Sequence, residues 1–483
     1  MTRSGAEMDL IVIGGGLAGM STAIRAAELG LTVRVLEKGE GDHYLCNSRY
    51  TGGLFHIGMD DMRSSPDELV ARLERVTNGE TRHDLARTLA DNAMRAIRWL
   101  GAQGVGLIRV GPDGLRQNSL TPPGVRNTGL NWRWRAGDVM LRTLNARLRA
   151  LGGTFDQGVV ASALELEHGR ICGVRVERRG KTEVLRAPVV AICDGGYQAN
   201  PDLLRKYITP APDRVLMRNA ETGCGNGLAM AEAAGAKLHG MGSFYGHIQY
   251  REAMTDGRFW PYPVMDSLCV AGLLVNGEGK RFCDESLGGV HIANAMARLE
   301  DPLACHVIID EAIWQGPGRD WLLPANPYLE KAGGRLVSAS TFDELAGTIG
   351  LDPVKLKSEV AAWNGAVQGR HAFAPERVNP AYKPHAVSKA PYHAIPLCAG
   401  ITYTMGGILT NAAGQVLNQN EQPVPGLLAA GACTGGLEGF SRNGYSGGLS
   451  KSATFGMIAG ETAAALARAG LTFTVHAAAP LSA

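Results

Sequence analysis

Gly14, Gly16 and Gly19 stand in the spacing G-x-G-x-x-G, and an acid, Glu37, closes the apolar run that follows. That set can hold a dinucleotide. The first glycine permits a tight turn, the second lets backbone approach a pyrophosphate, the third allows close helix–strand packing, and the acid accepts from a ribose 2′-hydroxyl. The elements needed to position these residues occur in order. Leu10 to Ile13 is a short apolar strand, and the Ala-rich periodic segment up to Gly30 predicts a helix whose N-terminal amides and dipole face the phosphates. Thr32 to Leu36 predicts a second strand that ends in Glu37. An ordinary βαβ unit with a tight turn is the alternative; strand, turn, helix, strand and terminal acid in sequence favour the dinucleotide.

Further along, residues 41–58 form a loop rich in Gly, Asn, Ser and Thr that stays near the bound ligand. Residues 66–101 and 138–151 carry helical periodicity, and Arg142, Arg147 and Arg149 mark a solvated helix face. Residues 154–194 alternate in period two and predict short strands, the last of them, Val189 to Cys193, returning to the sheet with Asp194, Gly195 and Gly196 at its carboxyl edge. From about 239 to 370 the character changes, with Trp260, Trp314, Trp321, Trp363 and Pro-rich loops. This stretch reads as an inserted domain. Glycine-rich, strand-like segments then return and end in a long helix that opens near Gly448, so a second helix N-terminus can face the ligand.

The composition sets limits on function. Lys+Arg 48 against Asp+Glu 46 leaves a net charge of +2, and without basic runs or basic–aromatic interleaving nucleic acid is not an expected partner. The nine cysteines form no C-x-x-C pair, which leaves no metal or iron–sulfur spacing, and their odd number argues against a disulfide framework. Reduced thiols in a cytoplasmic protein are expected. The first strand begins too early for a secretory segment, and no apolar run is long enough for a membrane span.

Several segments together resemble the flavoprotein family of fumarate reductase and succinate dehydrogenase, which includes 3-ketosteroid and tricarballylate dehydrogenases. They are IVIGGGLAG with Glu37, CNSRYTGG (46–53), ICDGGY (192–197), TGCGNGLAMAEAAGAKL (222–238), LLVNGEGKRFCDE (273–285), YTMGGILTN (403–411), VPGLLAAGACTGG (424–436) and GGLSKSATFGMIAGE (447–461). The resemblance implies an α/β fold: a discontinuous Rossmann-like FAD-binding domain, residues 1–238 and 371–483, with an inserted α+β capping domain, 239–370. It implies FAD contacts from Gly14, Gly16, Leu17, Ala18 and Gly19, from Glu37 and Lys38, and from Asn47, Ser48, Thr51, Gly52 and Gly53 around the flavin. Val160 and Ala161 fall by the adenine. Asp194, Gly195, Gly196, Asn226, Gly431 and Ala432 complete the cradle, with Gly448, Leu449 and Ser450 at the pyrimidine edge. Ala432 stands where the family commonly has glutamate. No covalent histidyl link can be placed around His43 or His56, so noncovalent FAD is expected.

The family adds or removes two hydrogens across a C–C bond beside a carboxylate or ketone, with hydride exchanged at flavin N5 and a proton at a side chain. Such chemistry needs a donor or cation on the electron-withdrawing group, a titratable group at the neighbouring carbon, and exclusion of water. By resemblance, Arg442 in GFSRNGYSGG grips a carboxylate, with Tyr445 of the same loop the alternative. Tyr403 takes the place of a substrate-binding histidine, and His247 falls near another. Glu285 resembles the acid of a proton pathway, or else is a structural partner of Lys280 or Arg281. The family's catalytic arginine is missing: Ile313 or Trp314 stands there. A tyrosine or histidine acid/base, from Tyr403, Tyr445, His247 or His291, replaces it, which favours dehydrogenation over fumarate-type reduction. A noncatalytic flavin-binding module is the competing reading. The expected partners are a small carboxylate or ketone and an unidentified electron donor or acceptor.

Overall fold

A computed structural model describes residues 8–111, 114–320 and 323–477, the last eight by backbone alone. Trp321 lies outside the described residues. The strand Leu10–Ile13 is completely buried and sits mid-sheet, parallel to both Val33–Glu37 and Val189–Ile192. Strand Thr154–Gln157 extends one side in parallel; Pro423–Ala429, with Gln415–Leu417 antiparallel to it, extends the other. Ile13 is in register with Leu36 and Ile192, and Ile192 with Ala429, so these strands finish along one edge. That edge is where an open parallel sheet presents its ligand crevice. Val159–Glu167, Arg170–Arg178 and Lys181–Arg186 form the antiparallel meander that the period-two alternation predicts.

The two ends of the chain meet through helices. The C-terminal helix, Gly448–Ala477, lies along Leu17–Glu28 because Gly456 and Gly460 present no side chain at the crossing. A Cβ there would come within 2.5 Å of the Ala18 carbonyl oxygen and 2.6 Å of that of Thr22. The segment read as one helical stretch, 66–101, is two helices, Pro66–Val76 and His83–Ala102. Ser65 caps the first through a capping box with Glu68, while Asn78 and Gly79 at positive φ turn the chain between them.

A second, largely antiparallel sheet stands over the ligand edge. Its spine is the long strand Tyr392–Thr404, which pairs with Phe244–Tyr250, His306–Asp310, Val337–Ala339 and, in parallel, Leu216–Met217. Leu273–Val275 completes it. The sheet thus draws strands from both sides of the boundaries that composition suggested, at 238/239 and 370/371.

Candidate active site

A cavity of about 580 Å³, within the usual range for a ligand site, runs from the sheet edge into the space beneath the second sheet. Of the residues expected to touch the cofactor, Gly14, Gly16, Leu17, Ala18, Glu37, Lys38, Asn47, Ser48, Thr51, Gly52, Gly53, Val160, Ala161, Asp194, Gly195, Gly196, Asn226, Ala432, Gly448 and Leu449 line it. Gly19, Gly431 and Ser450 lie behind the wall. Gly19 acts by packing: a Cβ would stand 1.9 Å from the Gly14 carbonyl oxygen, which seats the helix on the turn. Ser450 donates from its hydroxyl to the His56 carbonyl at 2.7 Å.

The polar groups of this half suit a dinucleotide. The helix after Gly16 has no side-chain cap of its own; the Ser48 hydroxyl accepts from the Leu17 amide at 3.0 Å instead. Glu37 accepts from the Gly15 and Gly39 amides, each at 2.8 Å, and keeps lone pairs on both oxygens. Burial raises its pKa, opposed by those amides. Asp194 lines the cavity and accepts from the Gly227 amide at 2.7 Å, with its other oxygen buried against Gly227. Burial pushes the carboxyl up to about 6.

The other half is built from side chains. Tyr245 and Tyr403 face one another across adjacent antiparallel strands, and a bulge at Thr402 puts Thr402 and Tyr403 together on the cavity wall. Tyr445 stacks on Tyr245, ring centres 3.9 Å apart and 19° between planes. Its hydroxyl accepts from the Gly448 amide at 2.8 Å. The Tyr403 hydroxyl is buried beside that of Tyr445. Burial raises all of these phenols, Tyr445 to about 12 and Tyr245 and Tyr403 well above the ordinary range, so each keeps its proton at neutral pH. His247 completes the wall, accompanied by Tyr262, Trp260 and Trp132.

Arg218 crosses over Gly400 into the cavity, donating to the Thr402 hydroxyl at 2.9 Å and the Pro261 carbonyl at 3.0 Å. Its Nε is buried without a partner, and no acidic group among the described residues pairs with it. His56 also faces the cavity; its Nδ1 accepts from the Met59 amide at 3.2 Å, and burial drops its pKa to about 4. The imidazole is therefore neutral, with its proton on Nε2.

Three expected catalytic residues stand elsewhere. Arg442 does not line the cavity: Asn443, at φ 54°, turns the loop between it and Tyr445, which does. His291 lies outside the cavity too, at 3.1 Å from the Asn443 side-chain oxygen, and burial lowers its pKa. Glu285 is fully buried between Arg281, at 2.8 and 2.7 Å, and Arg377, at 3.0 Å, against the rings of Trp363 and Phe373. The contact with Arg281 expected of a structural Glu285 is present, and Glu285 does not line the cavity. Tyr245, Arg218 and Thr402 are not singled out by the sequence, and His56 is named there only as a position for a covalent link. Only Tyr245 had a legible cue, its place two residues before His247 on a strand, which puts both on one face.

A parallel sheet with a glycine turn, a capped helix and an acid at its ligand edge defines a dinucleotide-binding oxidoreductase fold, here roofed by a second sheet. Residues 9–447 match the FAD binding domain family, and the chain belongs to it. It is 28% identical over 477 residues to the NADH:fumarate oxidoreductase of Klebsiella pneumoniae, covering 95% of this chain and 48% of that one, so it spans about half of that relative. It is 27% identical to the fumarate reductase (cytochrome) of Shewanella frigidimarina, covering 95% and 77%. Among solved structures it resembles the 3-ketosteroid-Δ4-(5α)-dehydrogenase of Rhodococcus jostii RHA1, at 23% identity and a TM-score of 0.71, covering 96% and 98%. No helix among the described residues is long and apolar enough to cross a membrane.

Proposed function

We propose that the protein is an FAD-dependent oxidoreductase that adds or removes two hydrogens across a C–C bond beside a carbonyl or carboxylate. Bound FAD supplies the acceptor or donor of hydride. The observation that carries the reading is the continuity of one cavity from the glycine turn to a pocket walled by Tyr245, Tyr403, Tyr445, His247 and Arg218. Gly14, Gly16, Glu37, Ser48 and Asp194 hold the dinucleotide, and Asn47 to Gly53 with Gly448 enclose the flavin. The cation role expected of Arg442 passes to Arg218, which lines the pocket and can offer its guanidinium to a carbonyl or carboxylate oxygen. Tyr403, on the same wall, is a second donor to that oxygen. The phenols retain their protons, and the second sheet excludes water, which strengthens every polar contact beneath it.

The FAD is held noncovalently: His43 is engaged by Asp138 at 3.0 Å, and His56 is held by the Met59 amide. The cap comprises residues 239–370 together with Leu216–Met217 and Tyr392–Thr404, the strands that complete its sheet. Oxidation of a saturated ketone or acid is the favoured direction, since Ile313 or Trp314 stands where the family carries a catalytic arginine. The cytoplasm is the compartment, in keeping with nine free thiols, six of them buried. The electron partner is a diffusible carrier or another protein.

The test is anaerobic mixing of holoenzyme with a panel of compounds. Oxidised enzyme is offered ketosteroids and saturated acids; reduced enzyme is offered fumarate, acrylate, urocanate and a vinyl phenol, compounds named in its relatives. Bleaching or return of the flavin colour with at least one of them is expected. No response across the panel would return the reading to a noncatalytic flavin-binding module. Acid precipitation that leaves the flavin in the pellet would overturn noncovalent attachment.

A further inference from the structure

We infer that Tyr245, His247 and Asp266 form a proton relay, in which Tyr245 is the acid/base at the substrate carbon and Asp266 positions His247. The inference rests on the proposed reading of the cavity. Tyr245 and His247 share a face of the strand Phe244–Tyr250 and both line the cavity. The Tyr245 hydroxyl is 3.0 Å from His247 Nε2, and His247 Nδ1 is 2.6 Å from the Asp266 carboxylate. The second Asp266 oxygen accepts from the Ile248 amide at 2.9 Å, so the carboxylate is held by the strand that carries the histidine.

The carboxylate is also pressed against the opening turn of the helix Gly289–Ala297: a Cβ on Gly289 would come within 2.0 Å of its oxygen. Amides at a helix start favour a negative charge there. A carboxylate on Nδ1 selects the tautomer with the proton on Nδ1 and leaves Nε2 as an acceptor. Around Tyr245, besides His247, stand Tyr445, Tyr403, Arg218 and Tyr262, with Asp266 behind the histidine. The stacked Tyr445 ring fixes its plane.

A buried phenol is a poor base on its own, because it holds its proton. The array removes that obstacle by the logic of a hydroxyl–imidazole–carboxylate triad. In the oxidising direction the substrate C–H proton passes to the Tyr245 oxygen as the Tyr245 proton passes to His247 Nε2, and the imidazolium is stabilised by Asp266. One C–H and one O–H bond break; one O–H and one N–H form. The electron pair left on carbon completes the new C=C as the adjacent carbon gives up hydride, whose oxidant is the FAD of the proposed function. Reduction runs the same transfers backwards. Asp266 does not reach the cavity and is a positioning residue.

Holoenzyme labelled with 15N-histidine, with His247→Asn to assign the signals, decides the tautomer without any substrate. The expected result is a protonated Nδ1 with a strongly deshielded proton that is lost in Asp266→Asn, and an unprotonated Nε2 whose resonance moves in Tyr245→Phe. A proton on Nε2 in the wild type would overturn the relay, since Tyr245 could not discharge to it. With a compound the wild type converts, Tyr245→Phe should lower kcat by about 10²–10³-fold with KM little changed. Reoxidation of reduced holoenzyme by ferricyanide, which needs no proton at carbon, should stay unchanged. Asp266→Asn should lower kcat less and displace its pH profile, an effect that a merely structural role would not produce. A Tyr245→Phe rate within threefold of wild type would sink the relay. If the wild type converts nothing on the panel, the proposed function fails while the tautomer still decides the relay.

Discussion

The nucleotide half and the substrate half of the cavity are made in different ways. The first is mostly backbone: Gly14, Gly16 and the Leu17 amide come from a few consecutive residues, and the sheet edge places them. The second is side chain: Tyr245, Tyr403, Tyr445, His247 and Arg218 converge from separate strands and a loop. A backbone-built cradle depends on what cannot fit, and a side-chain-built pocket on what each group donates. Substitutions should therefore act on the two halves with different signatures.

The largest effect is expected from Gly19→Val. Its side chain would occupy space 1.9 Å from the Gly14 carbonyl oxygen, so turn and helix must separate and the pyrophosphate cradle opens. Protein that remains soluble should carry no flavin absorbance; full flavin content would break the claim that this half works by exclusion. Next is Glu285→Gln, which tests whether a conspicuous charged cluster belongs to neither half. Removing the carboxylate leaves Arg281 and Arg377 buried together, at a cost of about 3–5 kcal/mol, read as a lower unfolding midpoint in denaturant. Turnover per bound flavin should be unchanged, and a selective fall in turnover would return Glu285 to the catalytic site.

Asp194 gives a test by pH. Its folded pKa lies near 6, above the ordinary value of 3.8, so the folded protein binds the proton more tightly than the unfolded chain. Below about pH 4 the carboxyl is neutral in both states. As pH rises from there to about 6 the unfolded chain ionises first, and stability falls by about 3 kcal/mol in total. Flavin-free protein should thus lose stability across that window, and Asp194→Asn should flatten the slope. An unaltered slope in the variant would show that other groups govern it.

These contrasts also explain what was legible in the sequence. The first glycine turn could be read because its residues are neighbours in the chain, and Leu10–Ile13 and Val33–Glu37 lie close to the strands expected. Tyr403, Tyr445 and His247 were legible through motifs that sit on a strand or at the opening of the long helix. Arg218 and Asp266 were not, because neither carries a local pattern; the crossing of Tyr392–Thr404 over Leu216–Met217 and Phe244–Tyr250 brings Arg218 in. Arg442 is expected in the pocket because it precedes the helix that faces the ligand and resembles the family's carboxylate-binding arginine, but a left-handed turn at Asn443 separates it from Tyr445.

Within the substrate half, Tyr403→Phe removes a buried hydroxyl that has only the Tyr445 hydroxyl beside it. The fold loses little by this change, so the unfolding midpoint should move only slightly. Loss of a donor to developing oxyanion charge should lower kcat by about a hundredfold, measured as flavin bleaching in a single turnover. A change confined to KM would move Tyr403 from the reaction to substrate binding alone.

The smallest effect falls where the two construction styles overlap. Ser48 is a side chain in the backbone-built half, and its hydroxyl takes the Leu17 amide at the mouth of the first helix. Ser48→Ala leaves that amide without its protein partner, a loss comparable to that of a helix cap, about 1 kcal/mol. In the flavin-free protein this should appear as a small drop in unfolding midpoint. With FAD bound, the dinucleotide or its water can take over the amide, so the difference between wild type and variant should shrink in the holoenzyme. Equal losses in both forms would mean that the Leu17 amide is out of the ligand's reach, and that the cradle is supported by Ser48 without using it.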